Sequence, residues 1–592
     1  MRLVQHAGAR PDLNALLPQL YLDGNYTPFV LQVLPDPIVP ELNRLVVKGT
    51  SNYLPVSGYY DEDNEVGQAL LAAQADKIRY LAIAVGESEE EATKIVEDSL
   101  AFDRMTIPYM MGTDEQMRLQ NSDTLVPFEE FAAYSENIDF EKLIATLAGA
   151  VPEQVALWSE DFFKDIDKLV NEENLDMVKN WLKADYLCDN ALYLSTDMLK
   201  ENYATSSADT SEDEHTEDSC SHSADQRSPD LDESPGAVPD EVHEINPDAD
   251  GDGEIDEEAL QSITVATLKG LFQTEIGHYY TETYMDEEVA ADIEQMFYDS
   301  IEEYKKRMQG NEWLQDETKE KAIEKLDKMF VAVGETEFVN PMTDGVTLKS
   351  SEEGGTLVDN MIALQNNFRE KNFKLLNQKN EGIQRIGNSL LQTPAHVVNA
   401  AYLPEINGVV INAAILSPPL YDANASESEN LGGIGTIIAH EISHGFDQMG
   451  SKRDADGNLT DWWTPADHKE FDARTQKMIA LFDGQPYMGG VLNGTLTVTE
   501  NTADAGGLSV AMSMLEKLEN PNYEGFFETW AKAWAEASTE EIMQLHLQSS
   551  LHSPGKFRVN LQLANFEQFY DTYGIKEGDG MYIAPEDRVS IW

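Results

Sequence analysis

Apolar residues recur at every third or fourth position along several stretches of the chain, with charged residues between them. The pattern is clearest in residues 285–307 and 316–329, and it is looser in residues 140–181. Because an α-helix places positions three and four apart on one face, this spacing predicts amphipathic helices. No apolar run approaches the length that spans a membrane, so we expect no membrane contact. The sequence therefore predicts a mainly α-helical protein.

Two further helices are predicted in the C-terminal part of the chain. Residues 436–442 are apolar at roughly helical spacing, and a glycine-rich stretch that begins at Gly432 precedes them. Residues 508–518 form an apolar, methionine-rich segment that is predicted to be helical, and residues 500–507 directly precede it. Both segments contain or adjoin the polar residues considered below.

Length and composition are typical of a large soluble enzyme. The chain has 592 residues, of which 41% are hydrophobic, enough for a substantial core and for more than one domain. Its two cysteines, Cys188 and Cys220, are too few for a disulfide framework, which favours a reducing compartment. The residues that follow Met1 lack the basic start and apolar stretch of an export signal. We therefore expect a cytoplasmic location.

The charge of the chain limits its partners. With 41 basic and 108 acidic residues, the formal net charge is −67. Such a surface repels phosphate, so nucleic acid is excluded as a partner. The charge could attract basic peptides, but an acidic cytoplasmic proteome or a solubility effect is the explanation that we favour.

One segment departs from the globular pattern. Residues 204–258 are dense in Ser, Asp and Glu and almost free of aromatic residues, which predicts disorder. Asp248, Asp250 and Asp252 begin a sequence that resembles a calcium-binding loop, but its twelfth position is Ala259 in place of the bidentate Glu. A weak calcium site is therefore the alternative to a solvated acidic linker, which we favour.

The sequence His440-Glu441-Ile442-Ser443-His444 lies in the predicted helix at residues 436–442 and extends just past it. Helical geometry places positions i and i+4 on one face, so both imidazoles can reach one tetrahedral zinc ion. Glu441 can then reach a water molecule at the open coordination position and act as its general base. The motif predicts zinc-dependent hydrolysis.

A third zinc ligand is available in Glu500, at the start of the helix predicted after the histidine motif. In the gluzincin pattern, two His from one helix and a Glu from a later helix hold the ion, and water takes the fourth position. Asp504 and Asp447 are candidates to accept the far N–H groups of the ligand imidazoles, which would fix their tautomers. Acidic residues that satisfy free N–H groups at a helix start are the alternative interpretation of Glu500 and Asp504.

Several more blocks of sequence accompany these motifs. They are residues 398–402, 414–419, 432–447, 461–463, 500–507 and 552–558. In order and spacing, the blocks resemble the neprilysin family of zinc metalloendopeptidases, in particular its bacterial oligoendopeptidase O type. The similarity runs from near Leu13 to Trp592, apart from the acidic insertion. The resemblance implies one Zn²⁺ per chain, bound to His440, His444 and Glu500.

The resemblance also implies roles for residues outside the zinc motif. His552 matches the histidine that stabilises the oxyanion of the transition state. Arg558 matches the residue that binds a backbone carbonyl of the substrate, a role that suits its rigid fork of donors. Asn399 and Ala400 match the pair that holds the peptide in extended form, as in strand addition.

The implied specificity pocket accepts a large apolar side chain after the scissile bond. Its candidate lining residues are Leu420, Tyr421, Ile437 and Trp534, although each could equally serve as core. The family usually has an aromatic pair at Leu420-Tyr421, and a Pro and a Gly where this chain has Asn412 and Ala414. The shape of the pocket is therefore expected to differ from that of the family.

The resemblance predicts two domains. A gluzincin-type catalytic domain would combine residues 1–121 and 360–592 and include a small β-sheet with an edge at Gly408–Ile411. A helical capping domain, residues 122–359 with the insertion 204–258, would enclose a chamber that admits oligopeptides. The N-terminal arm that family members carry before the Leu-rich stretch at residues 16–20 is missing, so we expect a shortened form or a misassigned start.

The hypothesis that we favour is zinc-assisted hydrolysis of oligopeptides, on the amino side of large apolar residues. Glu441 would be the general base, and His552 would stabilise the oxyanion. A catalytically impaired peptide-binding protein that keeps its zinc is one alternative, because the N-terminal arm is missing. A calcium-responsive scaffold built on residues 248–256 is another.

Overall fold

The structure, a computed structural model, describes most of the chain. The described residues are 13–24, 26–36, 39, 41–54, 57–62, 64–111, 119, 125–194, 265, 268–269, 272–334, 342–379 and 394–592. The predicted calcium loop, with Asp248, Asp250 and Asp252, lies outside them, as does the whole acidic insertion 204–258.

The protein is mainly α-helical, as predicted. Its helices are α1 (Leu13–Gly24), α2 (Glu65–Ala84), α3 (Glu89–Thr106), α4 (Phe128–Ala132), α5 (Phe140–Ala148), α6 (Glu160–Lys164), α7 (Ile166–Leu169), α8 (Leu175–Leu194), α9 (Gln273–Tyr284), α10 (Glu287–Gly310), α11 (Asp316–Lys328), α12 (Leu357–Lys374), α13 (Glu427–Asn430), α14 (Thr436–His444), α15 (Pro465–Phe482), α16 (Val498–Leu515), α17 (Tyr523–Ala533), α18 (Glu540–Ser549), α19 (Gly555–Leu563) and α20 (Glu567–Tyr573). Among the described residues, no helix has the length and apolar character needed to cross a bilayer.

The strands form small sheets. They are β1 (Phe29–Pro35), β2 (Asn43–Gly49), β3 (Leu125–Pro127), β4 (Gln154–Leu157), β5 (Phe330–Val333), β6 (Ala400–Leu403), β7 (Gly408–Ile411), β8 (Pro486–Tyr487) and β9 (Gly490–Val491). The first sheet has the order β1-β2-β4-β3 and the second β5-β7-β6, while β8 and β9 form a short hairpin. The strand predicted at Gly408–Ile411 is therefore present as β7.

Most helices predicted from periodicity are present with shifted ends. The helices predicted at 285–307 and 316–329 are α10 and α11. The looser pattern over 140–181 is broken into α5, α6, α7 and the start of α8, with β4 between α5 and α6. Gly149 ends α5 in the left-handed conformation, with φ of 79°. A helix cannot continue through that conformation, so α5 ends there.

The chain folds into two compact units. The described part of residues 13–194, with residues 342–379, forms unit 1, and the described part of 265–334, with residues 394–592, forms unit 2. The predicted domain limits at 122 and 359 differ from these bounds. Helices α2 and α3 pack on α8 in unit 1, whereas α10 packs on α14 and α16 in unit 2. Periodicity shows which face of a helix is apolar, but not which core that face joins.

Unit 1 is built around its mixed four-stranded sheet. Strands β1 and β2 are antiparallel, with Leu31 opposite Val47, and β2 and β4 are parallel. Edge-to-face aromatic contacts link Phe29 to Phe140 and Phe131 to Phe163, and all four rings are buried. Helix α3 begins with a capping box between Ser88 and Glu91. These features specify the unit by apolar packing and local caps.

Unit 2 contains the second sheet and the predicted zinc helix. Strand β7 lies in the middle of that sheet, parallel to β5 and antiparallel to β6, with Ala400 opposite Ile411. Helix α14 is buried from Thr436 to Ser443 and packs against β6 and α16. Helix α16, which is also largely buried, begins ten residues before the apolar segment predicted at 508–518. The residues of 500–507 are therefore part of the same helix.

Two glycines allow α14 and α16 to approach each other closely. A Cβ atom at Gly507 would lie 2.7 Å from Thr436 O, 2.8 Å from His440 N and 3.0 Å from His440 Cα. These are backbone atoms of α14, so neither helix can accommodate the extra carbon by a side-chain rotation. The neighbouring Gly506 faces Ser443 Oγ, Trp592 and the Tyr304 hydroxyl. The distance between the two helices therefore depends on the absence of side chains here.

We predict that Gly507→Ala lowers the free energy of unfolding by about 2 kcal/mol, because the added methyl group forces α14 and α16 apart. Chemical denaturation of both proteins measures the difference. Gly310→Ala is the matched control, since Gly310 ends α10 with no atom within 4 Å of the added Cβ, and it should be neutral. Equal stability of the Gly507→Ala and Gly310→Ala variants would contradict the close approach described above.

Candidate active site

The helix that carries the histidine motif starts from an irregular turn. Residues Leu431–Gly435 form a π-helical turn, inside which Gly433 has φ of −98° and ψ of −106°. Side chains at Gly432 and Gly433 would collide with the backbone oxygens of Phe526 and Leu420. Ile434 N also donates a hydrogen bond to Leu420 O at 2.8 Å. The glycines that precede the helix therefore allow its first turn to pack closely against the backbone at Phe526 and at Leu420.

His440, His444 and Glu500 converge as predicted. His440 Nε2 lies 3.0 Å from His444 Nε2 and 3.2 Å from Glu500 Oε2, and His444 Nε2 lies 3.4 Å from the same oxygen. A tetrahedral zinc ion with ligands at about 2.0–2.1 Å requires ligand atoms about 3.3 Å apart. Glu500 Oε2 is buried and receives no well-oriented hydrogen bond from any described residue. The geometry and the donor set therefore fit one zinc ion.

Each imidazole is held from behind by a carboxylate. His440 Nδ1 lies 2.9 Å from Asp504 Oδ1, and His444 Nδ1 lies 2.6 Å from Asp447 Oδ2. A carboxylate only accepts, so each Nδ1 must donate and each Nε2 keeps its lone pair for the centre of the site. Asp447 Oδ1 also accepts from Met449 N and Gly450 N, at 2.7 and 2.8 Å. Asp447 and Asp504 thus occupy the positions predicted for them.

Asp504 is joined to Arg558 by two hydrogen bonds. Arg558 Nε and Nη2 donate to Asp504 Oδ2 and Oδ1, at 2.9 and 2.7 Å, and the guanidinium carbon lies 3.4 Å from the centre of the Trp534 ring. Burial by itself would raise the pKa of Asp504, but Arg558 and His440 lower that pKa to about 2. Asp504 therefore stays ionised, and the orientation of Arg558 is fixed on two sides.

The electrostatics of the site favour a cation at its centre. Burial would lower the pKa of His440, but its hydrogen bond to Asp504 and the nearby Glu500 carboxylate raise that pKa to about 9. The pKa of Glu500, which burial would raise, is held well below its usual value by His444 and His552. Three carboxylates thus surround two imidazoles, and in the absence of a metal the site attracts protons. A divalent ion can replace those protons at the same Nε2 atoms.

His552, which is distant in sequence, lies beside the ligands. Its Nε2 is 3.1 Å from Glu500 Oε2, and its side chain is buried. His546 Nε2 lies 3.1 Å from His552 O, and a ring nitrogen facing a carbonyl oxygen must donate to it. Glu441 is buried on α14, one residue after His440. The structure therefore places His552 against Glu500, and it places Glu441 on the helix that carries His440 and His444.

Asn399 and Ala400 lie at the end of the strand that packs on α14. Asn399 Oδ1 accepts from Ala400 N at 2.8 Å, and Asn399 O accepts from Asn412 N at 3.1 Å. Strand β6 pairs with β7 on one side and, among the described residues, with no strand on the other. An edge strand next to the helix that carries His440 and His444 is therefore present where the family resemblance implies peptide binding.

The predicted pocket residues are mostly part of the core. Ile437 and Tyr421 are 6% and 5% exposed and belong to the main apolar cluster of unit 2, and Leu420 and Trp534 pack against that cluster. The Tyr421 hydroxyl donates to Asp292 Oδ2 at 2.8 Å, and burial together with Asp292 raises the pKa of Tyr421 to about 12. This polar contact could not be read from the sequence.

Sequence reasoning missed several residues that support the site. Lys325 is fully buried and donates to Gly450 O and Arg453 O, both at 2.8 Å, on the loop that carries Asp447. Burial lowers the pKa of Lys325 to about 7. Lys325 lies in an amphipathic helix, and the pattern of that helix does not predict that its side chain is buried.

The back of helix α14 is also held by polar contacts that were not predicted. The Tyr304 hydroxyl donates to Ala439 O at 2.8 Å, and Trp592 Nε1 donates to Ser443 Oγ at 3.2 Å.

Asn501 and Ser553, which adjoin Glu500 and His552, are hydrogen-bonded to each other. Only their adjacency to motif residues could have drawn attention to Asn501 and Ser553.

Comparisons with known proteins agree with this geometry. Profiles of peptidase family M13 match residues 3–336 and 399–589. A neutral endopeptidase of Lactococcus lactis subsp. cremoris is 30% identical over 565 residues, which cover 95% of this chain and 82% of that protein. A neutral endopeptidase of Lactobacillus helveticus is 29% identical over 574 residues, with 97% of this chain and 80% of that protein covered.

Solved structures give the same result. The crystal structure of PEPO from Lactobacillus rhamnosis HN001 matches with a TM-score of 0.81 and 28% identity, over 100% of this chain and 86% of that one. The zinc metalloprotease ZMP1 of Mycobacterium tuberculosis, in complex with an inhibitor, matches with a TM-score of 0.74 and 22% identity, over 100% and 84%, and this match concerns the fold alone. The predicted resemblance to the neprilysin family of zinc metalloendopeptidases is thus confirmed, and the chain belongs to peptidase family M13.

Proposed function

We propose that this protein hydrolyses oligopeptides at a single zinc ion held by His440, His444 and Glu500. The proposal rests on one observation above all. The three ligand atoms lie 3.0–3.4 Å apart in a buried site, and Asp504 and Asp447 hold the far nitrogen of each imidazole. When bound, zinc lowers the pKa of a water molecule and polarises the scissile carbonyl.

The residues around the ion supply the proton transfers. Glu441 takes the proton of the attacking water and later delivers it to the leaving amine, as a general base and then a general acid. His552 donates from Nε2 to the oxygen of the scissile carbonyl, where negative charge develops in the transition state. Its burial excludes competing water from that hydrogen bond. Asp504 and Asp447 keep the ligand imidazoles in the tautomer that binds metal.

The peptide backbone binds next to these groups. Asn399 and Ala400 hold the substrate as an added strand at the edge of β6, which packs on α14. Arg558, oriented by Asp504 and Trp534, binds a backbone carbonyl near the scissile bond. Strand addition requires an extended segment, which folded proteins seldom present. Oligopeptides are therefore the proposed substrate class.

The proposed side-chain preference rests on the apolar residues that the family resemblance implies for the specificity pocket. Ile437, Tyr421 and Trp534 would accept a large apolar side chain on the carboxyl side of the scissile bond. The hydroxyl of Tyr421 is already bound to Asp292, so it offers its ring to the substrate. Cleavage is thus proposed on the amino side of large apolar residues.

Replacement of Glu441 by Gln tests the general base. We expect peptide cleavage to fall by about 10²–10⁴-fold, because the amide cannot accept the proton of water. Metal analysis should still find one zinc per chain, since Glu441 is not a ligand. Glu427→Gln makes the same chemical change at an exposed residue of α13 and should leave the rate unchanged. A Glu441→Gln variant that cleaves at the wild-type rate would refute the role assigned to this residue.

Removal of the metal tests the zinc site and the specificity together. A chelator should abolish cleavage of a mixed peptide pool, and added Zn²⁺ should restore it. The melting temperature should also fall with the chelator, because the ion binds only the folded chain. Mass spectrometry of the fragments should show large apolar residues at the new N-termini. Peptides that bind without being cut would favour a non-catalytic binding protein.

A further inference from the structure

The segment that carries His552 is attached to α16 through a buried hydrogen bond between neighbours of two site residues. Ser553 Oγ donates to Asn501 Oδ1 at 2.8 Å, and the two residues are 1% and 0% exposed. Asn501 directly follows Glu500, and Ser553 directly follows His552. Two adjacent residues of one segment therefore meet two adjacent residues of the other: His552 contacts Glu500, and Ser553 contacts Asn501.

The orientation of the Asn501 amide is fixed by its other partner. Asn501 Nδ2 donates to Thr497 Oγ1 at 3.0 Å, and Thr497 Oγ1 in turn donates to Asn493 O at 3.2 Å. Because the Thr497 proton is used, its oxygen can only accept from Asn501, which leaves Oδ1 to face Ser553. The Ser553 hydroxyl is therefore the first donor in a series of hydrogen bonds that continues through Asn501 and Thr497 to Asn493 O, just before α16.

Other hydrogen bonds hold the same segment, either from α19 or through the backbone of His552. Gln562 Nε2 donates to Asn501 O at 2.7 Å, and Arg558 is bonded to Asp504. Both residues lie on α19, beyond Pro554. His546 holds the backbone oxygen of His552 from the other side. Of the three hydrogen bonds described here between this segment and α16, from Ser553, Arg558 and Gln562, the one from Ser553 lies nearest to His552 in the chain.

We propose that Asn501 and Ser553 are positioning residues for the reaction: their hydrogen bond holds the His552 imidazole beside Glu500, where it can donate to the oxyanion. This inference rests on the role proposed above for His552. The bond fixes a backbone position one residue from His552, so its loss allows the imidazole to move without removing any group that touches substrate. A displacement of this kind weakens a hydrogen bond made in the transition state, and it should lower kcat more than it raises KM.

A double-mutant cycle tests the proposal in the full-length zinc-loaded enzyme. The proteins are wild type, Ser553→Ala, His552→Ala and the double variant. We expect Ser553→Ala to lower kcat about tenfold, as for the loss of a hydrogen bond of ordinary strength, with KM nearly unchanged and one zinc still bound. In the His552→Ala background, Ser553→Ala should have no further effect on kcat, because the residue that it positions is gone.

Two more variants separate positioning from a general loss of stability. Asn501→Ala removes the same bond from the other side and should reproduce the loss of kcat, which also covers the case that Ser553→Ala does not fold. Ser300→Ala removes a buried hydroxyl that donates to Met296 O at 2.8 Å, and it should lower the melting temperature without changing kcat. The proposal is overturned if Ser553→Ala and Asn501→Ala leave kcat unchanged, or lower it equally with and without His552. If His552→Ala itself leaves kcat unchanged, the proposed role of His552 fails instead.

Discussion

The close packing of α14 on α16 is the constraint on which the site depends. His440 and His444 lie on one of these helices and Glu500 on the other, and their ligand atoms meet only if the backbones approach within contact distance. Gly507 permits that approach, because its Cα faces the backbone of His440 without a side chain between them. A similar condition holds at the first turn of α14, where Gly432 and Gly433 meet the backbones of Phe526 and Leu420. The spacing of the three candidate ligand atoms thus depends on these glycine positions as well as on the ligands themselves.

This packing places several ionisable groups where water cannot solvate them. Asp504 and Asp447 are 0% and 1% exposed, and each is surrounded by donors. Arg558, His440 and the amides of residues 449 and 450 supply those donors. Buried charges are tolerated only with such partners. The centre of the site still carries more negative than positive charge, which is why a divalent cation fits it and why both imidazoles otherwise attract protons.

The same interior joins the proposed catalytic groups to the strand that is proposed to bind peptide. Helix α14 carries Glu441 and packs on β6, the edge strand that begins at Ala400. Helix α16 carries Glu500, Asn501 and Asp504, which hold the segment from His552 to Gln562. Every residue assigned a role in hydrolysis thus belongs to unit 2. A displacement of either helix would therefore affect the proposed metal binding, proton transfer and substrate orientation together.

The sequence by itself determined the features that depend on short-range geometry. Helical spacing puts His440 and His444 on one face of α14, and it predicts α10 and α11 to within a few residues of their ends. The tertiary structure alone decided that residues 440, 500, 504, 552 and 558 come together, although the family resemblance anticipated it. It also decided that Tyr421 bonds Asp292, that Lys325 is buried, and that α10 and α11 join unit 2. The physical reason is that hydrogen-bonded helical geometry fixes neighbours three or four positions apart. Contacts between distant segments depend instead on how whole apolar faces fit against one another.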